Sequence, residues 1–231
     1  MRWADRKTRD KHAGQPPYAP EAPADQQDQK MDIDRRAEDL DRLETACWAS
    51  LRDGAKDRHS PMHTIVLATV HEGAPRLRTV VLRRVDIMEK RVYAHVDLRS
   101  PKAAAILADP NTSWLAYDPV ARVQIRLSGK STVHNQDELC RQHWEATGHH
   151  SRRFYMRPPE GKPLDAPQHL AEELRDFKYT DGDTETAFAD FAVIRCEVDF
   201  MDMYTLHHEG NRRAEFQYKK SQLVHAQWMS A

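Results

Sequence analysis

Residues 76–102 read RLRTVVLRRVDIMEKRVYAHVDLRSPK, and the fold turns on them. Arg76–Asp86 mixes branched apolar residues with cations and predicts a strand, and Lys90–Val96 predicts a second. Ser100-Pro101-Lys102 followed by AAAIL predicts a short helix, with Ser100 at the N-cap, Pro101 at the first helical position and Asp109-Pro110 ending it. Upstream, His63–His71 (HTIVLATVH) is a further strand, turning at Glu72-Gly73-Ala74-Pro75. Downstream, Thr112–Tyr117 and Arg122–His134 are strands joined by a turn at Asp118-Pro119. Links of hairpin length do not suit a doubly wound parallel sheet. The expected class is mainly β (α+β), an antiparallel barrel with peripheral helices.

The flanks fit that plan. Leu40, Leu43, Ala46, Cys47 and Leu51 recur at helical spacing, predicting an amphipathic helix from an N-cap at Asp34 to about Leu51. Asn135 with Glu138 predicts a capping-box helix through about Ala146. Residues 157–184 are rich in Pro, Gly and acid around a helix expected near Gln168–Phe177. Ala189–Val198, Met201–His207, Arg212–Lys219 and Gln222–Met229 are expected as four closing strands. Residues 1–30, with Pro16, Pro17, Pro20 and Pro23 among charges and Gln, are expected to be a disordered tail, leaving 31–231 as one domain.

Composition narrows the function. There are 8 glycines in 231 residues, about half the usual 7%, and none close enough to another to form Gly-x-Gly-x-x-Gly or a Walker loop. Those NAD and ATP signatures are therefore missing. A net charge of −1 argues against generic nucleic-acid binding. No apolar run approaches a membrane span, and no apolar segment follows Met1–Lys7 as in a secretory signal, so a cytoplasmic setting is expected. Cys47, Cys140 and Cys196 are too far apart to suggest a zinc site or a disulfide framework.

The near-neutral total hides a basic segment. Residues 76–102 carry eight cations against three acids, a net of +5. Arg99-Ser100-Pro101-Lys102 sits at a helix start, where free N–H groups and the helix dipole favour an anion. Arg78 and Arg83 are separated by an odd number of residues, so a regular strand sends them to opposite faces. They can serve one ligand only through a bulge, a strand end or the backbone between them.

In this order and spacing, RTVVLR, HVDLRSPK and YDPVARVQIRLSG resemble the pyridoxamine 5′-phosphate oxidase-related family of FMN-binding split-barrel proteins. The resemblance is clear over roughly residues 35–150 and weaker to about 229. It implies a homodimer of six-stranded split β-barrels with FMN at the dimer interface. By that likeness the flavin would be held by Arg78, Thr79, Val80, Val81, Leu82 and Arg83, by His95 and Val96, and by Gln124. Its phosphate would lie on Ser100 and Lys102, with Arg99 replacing an arginine that the family has where Pro101 stands. An aromatic residue near the flavin falls around Tyr204, and the following arginine on Arg212 or Arg213, with Arg213 the chosen candidate.

Departures from the family bear on the substrate. Where the oxidase holds the vitamer phosphate with Lys, Tyr, Arg and Ser, this chain has Arg83, His143, Thr147 and Ser151, so Arg83 and Ser151 are the candidate substrate residues. Losing an arginine at such a clamp removes roughly 1.5–3 kcal/mol. The family's Arg-Leu-His motif has no counterpart in residues 207–213 (HHEGNRR). The reading is an FMN-binding flavoprotein acting as an oxidoreductase on an unassigned small molecule. The alternatives are a true pyridoxamine 5′-phosphate oxidase and a flavin or haem binder without turnover. His149-His150 and His207-His208 are adjacent pairs that splay apart, so no metal is expected. Cys140 has no visible base partner.

Overall fold

The computed structural model describes residues 39–158, 165–167, 177–206 and 210–231. Helix α1 (Leu40–Lys56) begins at Asp39, whose carboxylate accepts from the Asp41 N–H; the expected cap, Asp34, lies outside the described residues. It buries Leu43, Cys47 and Leu51 on one stripe, with Glu44 and Trp48 beside them. Then follow β1 (Thr64–His71), β2 (Ala74–Asp86), β3 (Arg91–Asp97), α2 (Pro101–Ala108), β4 (Asn111–Asp118) and β5 (Val123–Asn135). After α3 (Glu138–Glu145), α4 (His149–Arg152) and α5 (Asp181–Thr184) come β6 (Phe191–Thr205), β7 (Arg212–Lys219) and β8 (Gln222–Met229).

Strand order is β3-β2-β1-β4-β5-β6-β7-β8, and a further β3–β6 pairing closes the first six into a barrel. All pairings are antiparallel, and β7 and β8 extend the sheet from β6. The expected barrel is present. Its interior is filled by the inward set of each strand, including Ile65, Leu67, Leu82, Val92, Trp114, Ile125, Leu127 and Met203, with α1 and α2 packed into the same core. Alternation sends Thr79, Val81, Gln124 and Tyr204 to the outer face.

Four expectations are corrected. The two strands expected at Ala189–Val198 and Met201–His207 are replaced by one long strand, β6 (Phe191–Thr205), so three strands rather than four close the fold among the described residues. Asp199 is skipped where Ser128 pairs with Phe200 and Gly129 with Val198. That bulge kinks the strand without ending it. The capping box at Asn135 is absent. Asp137 caps α3 by accepting from the Cys140 N–H, and Asn135 donates to the carbonyls of Ala189 and Phe191. The β1–β2 turn is only Glu72-Gly73, both at positive φ, and Pro75 is already in β2. Lys90 is not in β3; its positive φ places it in the preceding turn. The tail at 1–30 and most of the helix expected near 168–177 lie outside the described residues, and Phe177 itself is not helical.

One buried network pins the N-terminal helix to the barrel. Lys90 Nζ lies 2.7 Å from Glu44 Oε1, which also accepts from the Tyr218 hydroxyl at 2.9 Å. Trp48 Nε1 donates to that hydroxyl, and the Lys90 ammonium sits over both aromatic rings. Three distant segments thus satisfy one buried charge. No helix among the described residues is long and apolar enough to cross a membrane.

The β6 bulge needs a bare backbone opposite it. A Cβ on Gly129 would come within 2.0 Å of the Glu197 carbonyl oxygen. Gly129→Ala is expected to cost about 1–3 kcal/mol and to lower the thermal midpoint by several degrees, read by circular dichroism.

Candidate functional site

The β2–β3 ladder is short. It runs from Asp86↔Arg91 only to Leu82↔Ala94, and its register shifts between Leu82 and Arg84. Arg83 is therefore the extra residue of a bulge. This resolves the parity problem of Arg78 and Arg83, because a bulge re-aims one side chain relative to the regular alternation. N-terminal to it, Ala74–Val81 pairs with β1 on one side only. Along Arg78–Val81, every second residue presents an N–H and a carbonyl to an edge with no strand on it among the described residues.

The bulge opens onto a cleft of about 390 Å³ between β2, β3, α3 and α4, lined by Arg83, Arg84, His95, His143, Thr147 and Ser151. Arg83 thus meets His143, Thr147 and Ser151, which lie at least 60 residues further along the chain. Two further polar lining residues, Arg84 and Gln142, are not expected from the sequence. The Arg83-Arg84 doublet is the available signal for the first. A bulge lets both neighbours face the same space, which strict alternation forbids.

Two imidazoles form the inner part of the cleft. His95 Nε2 and His143 Nδ1 lie 2.9 Å apart. The His143 ring stacks on Tyr93, and His95 meets Phe191 edge-on. Thr147 cannot act as an arginine substitute, since its hydroxyl donates to the His143 carbonyl within the helix turn. Burial lowers the His95 pKa to about 2, helped by Arg83 and His143. Burial likewise lowers that of His143 to about 4, helped by Arg84 and His134. Both rings are neutral at pH 7.

The residues expected around a phosphate divide. Arg78 Nη1 donates to Thr69 Oγ1 and to the carbonyls of Arg76 and Leu67, which orients its guanidinium at the barrel end. Ser100 is buried at the start of α2, but its hydroxyl donates to the Asp97 carbonyl and does not cap the helix. Lys102 is half-buried in the first turn. Arg99 departs from expectation. It forks onto Asp97, pairs with Asp190 at 2.9 Å, and donates to the carbonyls of Tyr155 and Arg157. It braces the start of α2, while Arg78 lies on β2 and Lys102 in the first turn of α2.

On the outer face, Gln124 pairs with Tyr204 and Tyr204 with Arg213. Cross-strand partners share a face, so these three form one row and Arg213 is the arginine on it. Arg212 pairs with Thr205, whose side chain is buried. Arg213 is held by Asp202 at 3.0 Å and Glu215 at 2.8 Å, and Arg126 also pairs with Asp202. Val80, Leu82 and Val96 point into the core, so only their backbone can reach a ligand.

Residues 45–135 match the family model described as pyridoxamine 5′-phosphate oxidase, FMN-binding domain. This segment runs from the middle of α1 to the end of β5, and contains both the bulge and the open edge of β2. The segment is thus similar to FMN-binding domains of the pyridoxamine 5′-phosphate oxidase family. A curated relative, the pyridoxine/pyridoxamine 5′-phosphate oxidase of Gluconobacter oxydans, is 28% identical over 140 residues, covering 59% of this chain and 68% of the relative. A pyridoxamine 5′-phosphate oxidase-related, FMN-binding protein from Nostoc punctiforme shares the fold with a TM-score of 0.62 at 19% identity, covering 80% of this chain and 96% of that one. PhzG from Burkholderia lata, solved with tetrahydrophenazine-1-carboxylic acid, does so at 0.57 and 15%, covering 86% and 96%.

The residues present suit the cofactor of this family. The β2 edge along Arg78–Val81, which no strand covers among the described residues, would offer backbone donors and acceptors to a flat heteroaromatic ring, and Arg78, Lys102 and the α2 start would offer charge to its phosphate. The remaining candidates are ordinary structure. Among the described residues no group of three or more His, Cys, Asp or Glu could hold a metal. Cys140 is buried, with its thiol pushed up to about 11 by burial and donating to the Phe191 carbonyl. Trp144 is core, while Phe154 is exposed. Asp181 and Asp183 open α5, with Thr180 and Asp183 forming its capping box.

Neutral burial of two histidines gives stability a definite pH dependence. Both folded-state values lie below the unfolded value of about 6.5, so the unfolded chain binds more protons under acid conditions. Stability is complete above pH 6.5 and falls progressively toward pH 4. Urea midpoints should drop over that interval, and His143→Phe should flatten the drop. A midpoint unchanged between pH 7 and 4.5 would contradict the burial of the pair.

Proposed function

We propose that the protein is an FMN-dependent oxidoreductase, working as a homodimer, that oxidises or reduces a small anionic substrate in the Arg83 cleft. The observation that carries this reading is the bulge at Arg83. It leaves the preceding backbone edge open for a flavin ring and brings Arg83 and Ser151 to the adjoining cleft. When bound, FMN supplies the two-electron chemistry. The chain's own residues bind and orient. Arg78 and Lys102 anchor the cofactor phosphate, Gln124 and the Arg78–Val81 backbone meet the ring, and Arg83 with Arg84 attracts the substrate's anion. His95 and His143 provide polar contacts that stay uncharged, and the aromatic wall of Tyr93 and Phe191 excludes water behind them. Three buried free cysteines suit a reducing compartment such as the cytoplasm.

A second reading, a true pyridoxamine 5′-phosphate oxidase, has one observation in its favour. Arg84 lines the same cleft as Arg83, so the charge lost where Thr147 stands is restored from the other wall. The Gluconobacter relative points the same way.

The dimer reading rests on the outer face. Leu77 on β2 and Tyr117 on β4 are exposed there, at 66% and 44%, and a second copy would cover them and complete the flavin pocket.

Purified protein mixed with FMN should quench flavin fluorescence at one FMN per protomer, and Lys102→Ala should weaken that binding about tenfold, equivalent to ~1.4 kcal/mol. Absence of uptake would sink the flavoprotein reading. Peroxide formed in step with pyridoxamine 5′-phosphate consumption would select the second reading over the first. Sedimentation should give a dimer, and Leu77→Asp should yield a folded monomer with FMN affinity sharply reduced.

A further inference from the structure

The segment after α4 carries two arginines without an acceptor. Arg153 opens a single short turn, Arg153–Met156, and Arg157 follows it. Arg153 Nε and Nη1 are buried and have no hydrogen-bond partner among the described residues. Arg157 is exposed, and its guanidinium likewise has no carboxylate or hydrogen-bond acceptor among the described residues. Both lie over one ring. Their Cζ atoms are 5.4 and 4.8 Å from the centre of Phe154, which is 49% exposed.

The neighbouring arginines are fully engaged. Arg152 is buried and donates to the carbonyls of Trp144, Glu145 and Thr147 and to Asp181. Arg99 is held by Asp97, Asp190 and the carbonyls of Tyr155 and Arg157. The carboxylates on the elements that follow are taken as well. Asp181 serves Arg152 and His149, Asp183 serves Thr180, Glu185 serves Arg141 and Trp144, and Asp190 serves Arg99.

A buried cationic donor without an acceptor is costly, and two cations gathered on one ring repel each other. Contact with the ring offsets part of that cost but satisfies none of the N–H donors. The backbone beneath them is nevertheless fixed. One nitrogen, Arg99 Nη2, donates to both the Tyr155 and Arg157 carbonyls, and the Tyr155 ring meets Trp144 and Phe191 edge-on.

We propose that Arg153 and Arg157, held against Phe154, form a seat for a phosphate monoester. Two positive charges with no free acid beside them match a dianion, and such a phosphate carries close to two charges at neutral pH. Guanidinium donors suit its oxygens. A monocarboxylate would leave one charge unbalanced. The phosphate is either that of the flavin, since Arg99 ties this segment to the start of α2, or that of a free ester. Neither arginine lines the Arg83 cleft. The seat goes beyond the oxidoreductase reading and stands with or without turnover.

The test uses the full chain with Arg153→Gln, Arg157→Gln and, as a control, Arg58→Gln, an exposed arginine after α1. Flavin fluorescence gives the affinities for FMN and riboflavin, which differ only by the phosphate. Calorimetry on FMN-saturated protein gives the affinity for phenyl phosphate. With the flavin as source, each seat variant should bind FMN about tenfold more weakly and riboflavin as before. With a free ester as source, both flavins should bind as in the wild type, and phenyl phosphate should bind each seat variant about tenfold more weakly. Arg157 is exposed, so its variant reads the seat without disturbing the core.

Equal losses for FMN and riboflavin would mark a packing role and overturn the proposal. So would Arg58→Gln matching the seat variants. Flavins and phenyl phosphate all indifferent to the substitutions would remove the seat and keep the flavoprotein reading. Protein that takes up no flavin ends the flavoprotein reading, and phenyl phosphate binding to that flavin-free protein then decides the seat by the same comparison.

Discussion

The barrel depends on how β2 is shared between two neighbours. The strand spans Ala74–Asp86, and β1 pairs with its first part while β3 pairs only with its end. Every backbone polar group on a strand needs a partner, so a strand left half-paired is normally a liability. Here the unpaired length lies beside the cleft, and the residue at the crossover, Arg83, is extruded as a bulge. One packing compromise thus separates a backbone surface suited to a planar ring from a side-chain cleft suited to an anion. The rest of the fold holds that compromise in place. The β3–β6 ladder runs without a register shift from Arg91↔Glu197 to Asp97↔Phe191 and fixes β3 from its far side. The Glu44–Lys90–Tyr218 network secures the turn between β2 and β3.

Charge in the site is arranged by commitment rather than by number. The basic segment at 76–102 looks uniform in sequence, yet its arginines have different employers. Arg99 is saturated by two carboxylates and two carbonyls, and Arg78 is oriented by a hydroxyl and two carbonyls. Arg83 and Arg84 face the cleft. An arginine's planar fork is well suited to the bracing role, because its several donors can satisfy several acceptors at once. That is why the arginine beside Ser100, attractive on position alone, has its donors engaged within the fold.

Much of the architecture is legible in the sequence because it follows from local patterning. The strands β1, β2, β4 and β5 announce themselves by branched residues between turn signals, and α2 by its Ser-Pro start. The long β6 reads as two strands because Asp199 interrupts its alternation, and a bulge and a loop look alike without the opposing strand. Asn135 reads as the cap in sequence, but its amide is taken by the Ala189 and Phe191 carbonyls, and Asp137 caps α3 instead. In the site, Arg83 and Ser151 can be placed by likeness to a family. Arg84, Gln142 and the contact between His95 and His143 cannot, since each depends on the bulge or on how α3 docks against β3.

The segment matching the family, residues 45–135, stops short of the strand that closes the barrel. Within it β3 and β5 would each end the sheet as open edges, because their common neighbour β6 begins only at Phe191. Arg91 and Glu197, paired across the seam, are 106 residues apart in the chain. Such closure carries a large loop entropy and comes late in folding. While β6 is still outside, the nascent sheet exposes two strand edges and the apolar face that will become the core. The segment that matches the family model is therefore an incomplete unit of folding. Its solubility as it leaves the ribosome depends on β6 arriving in time.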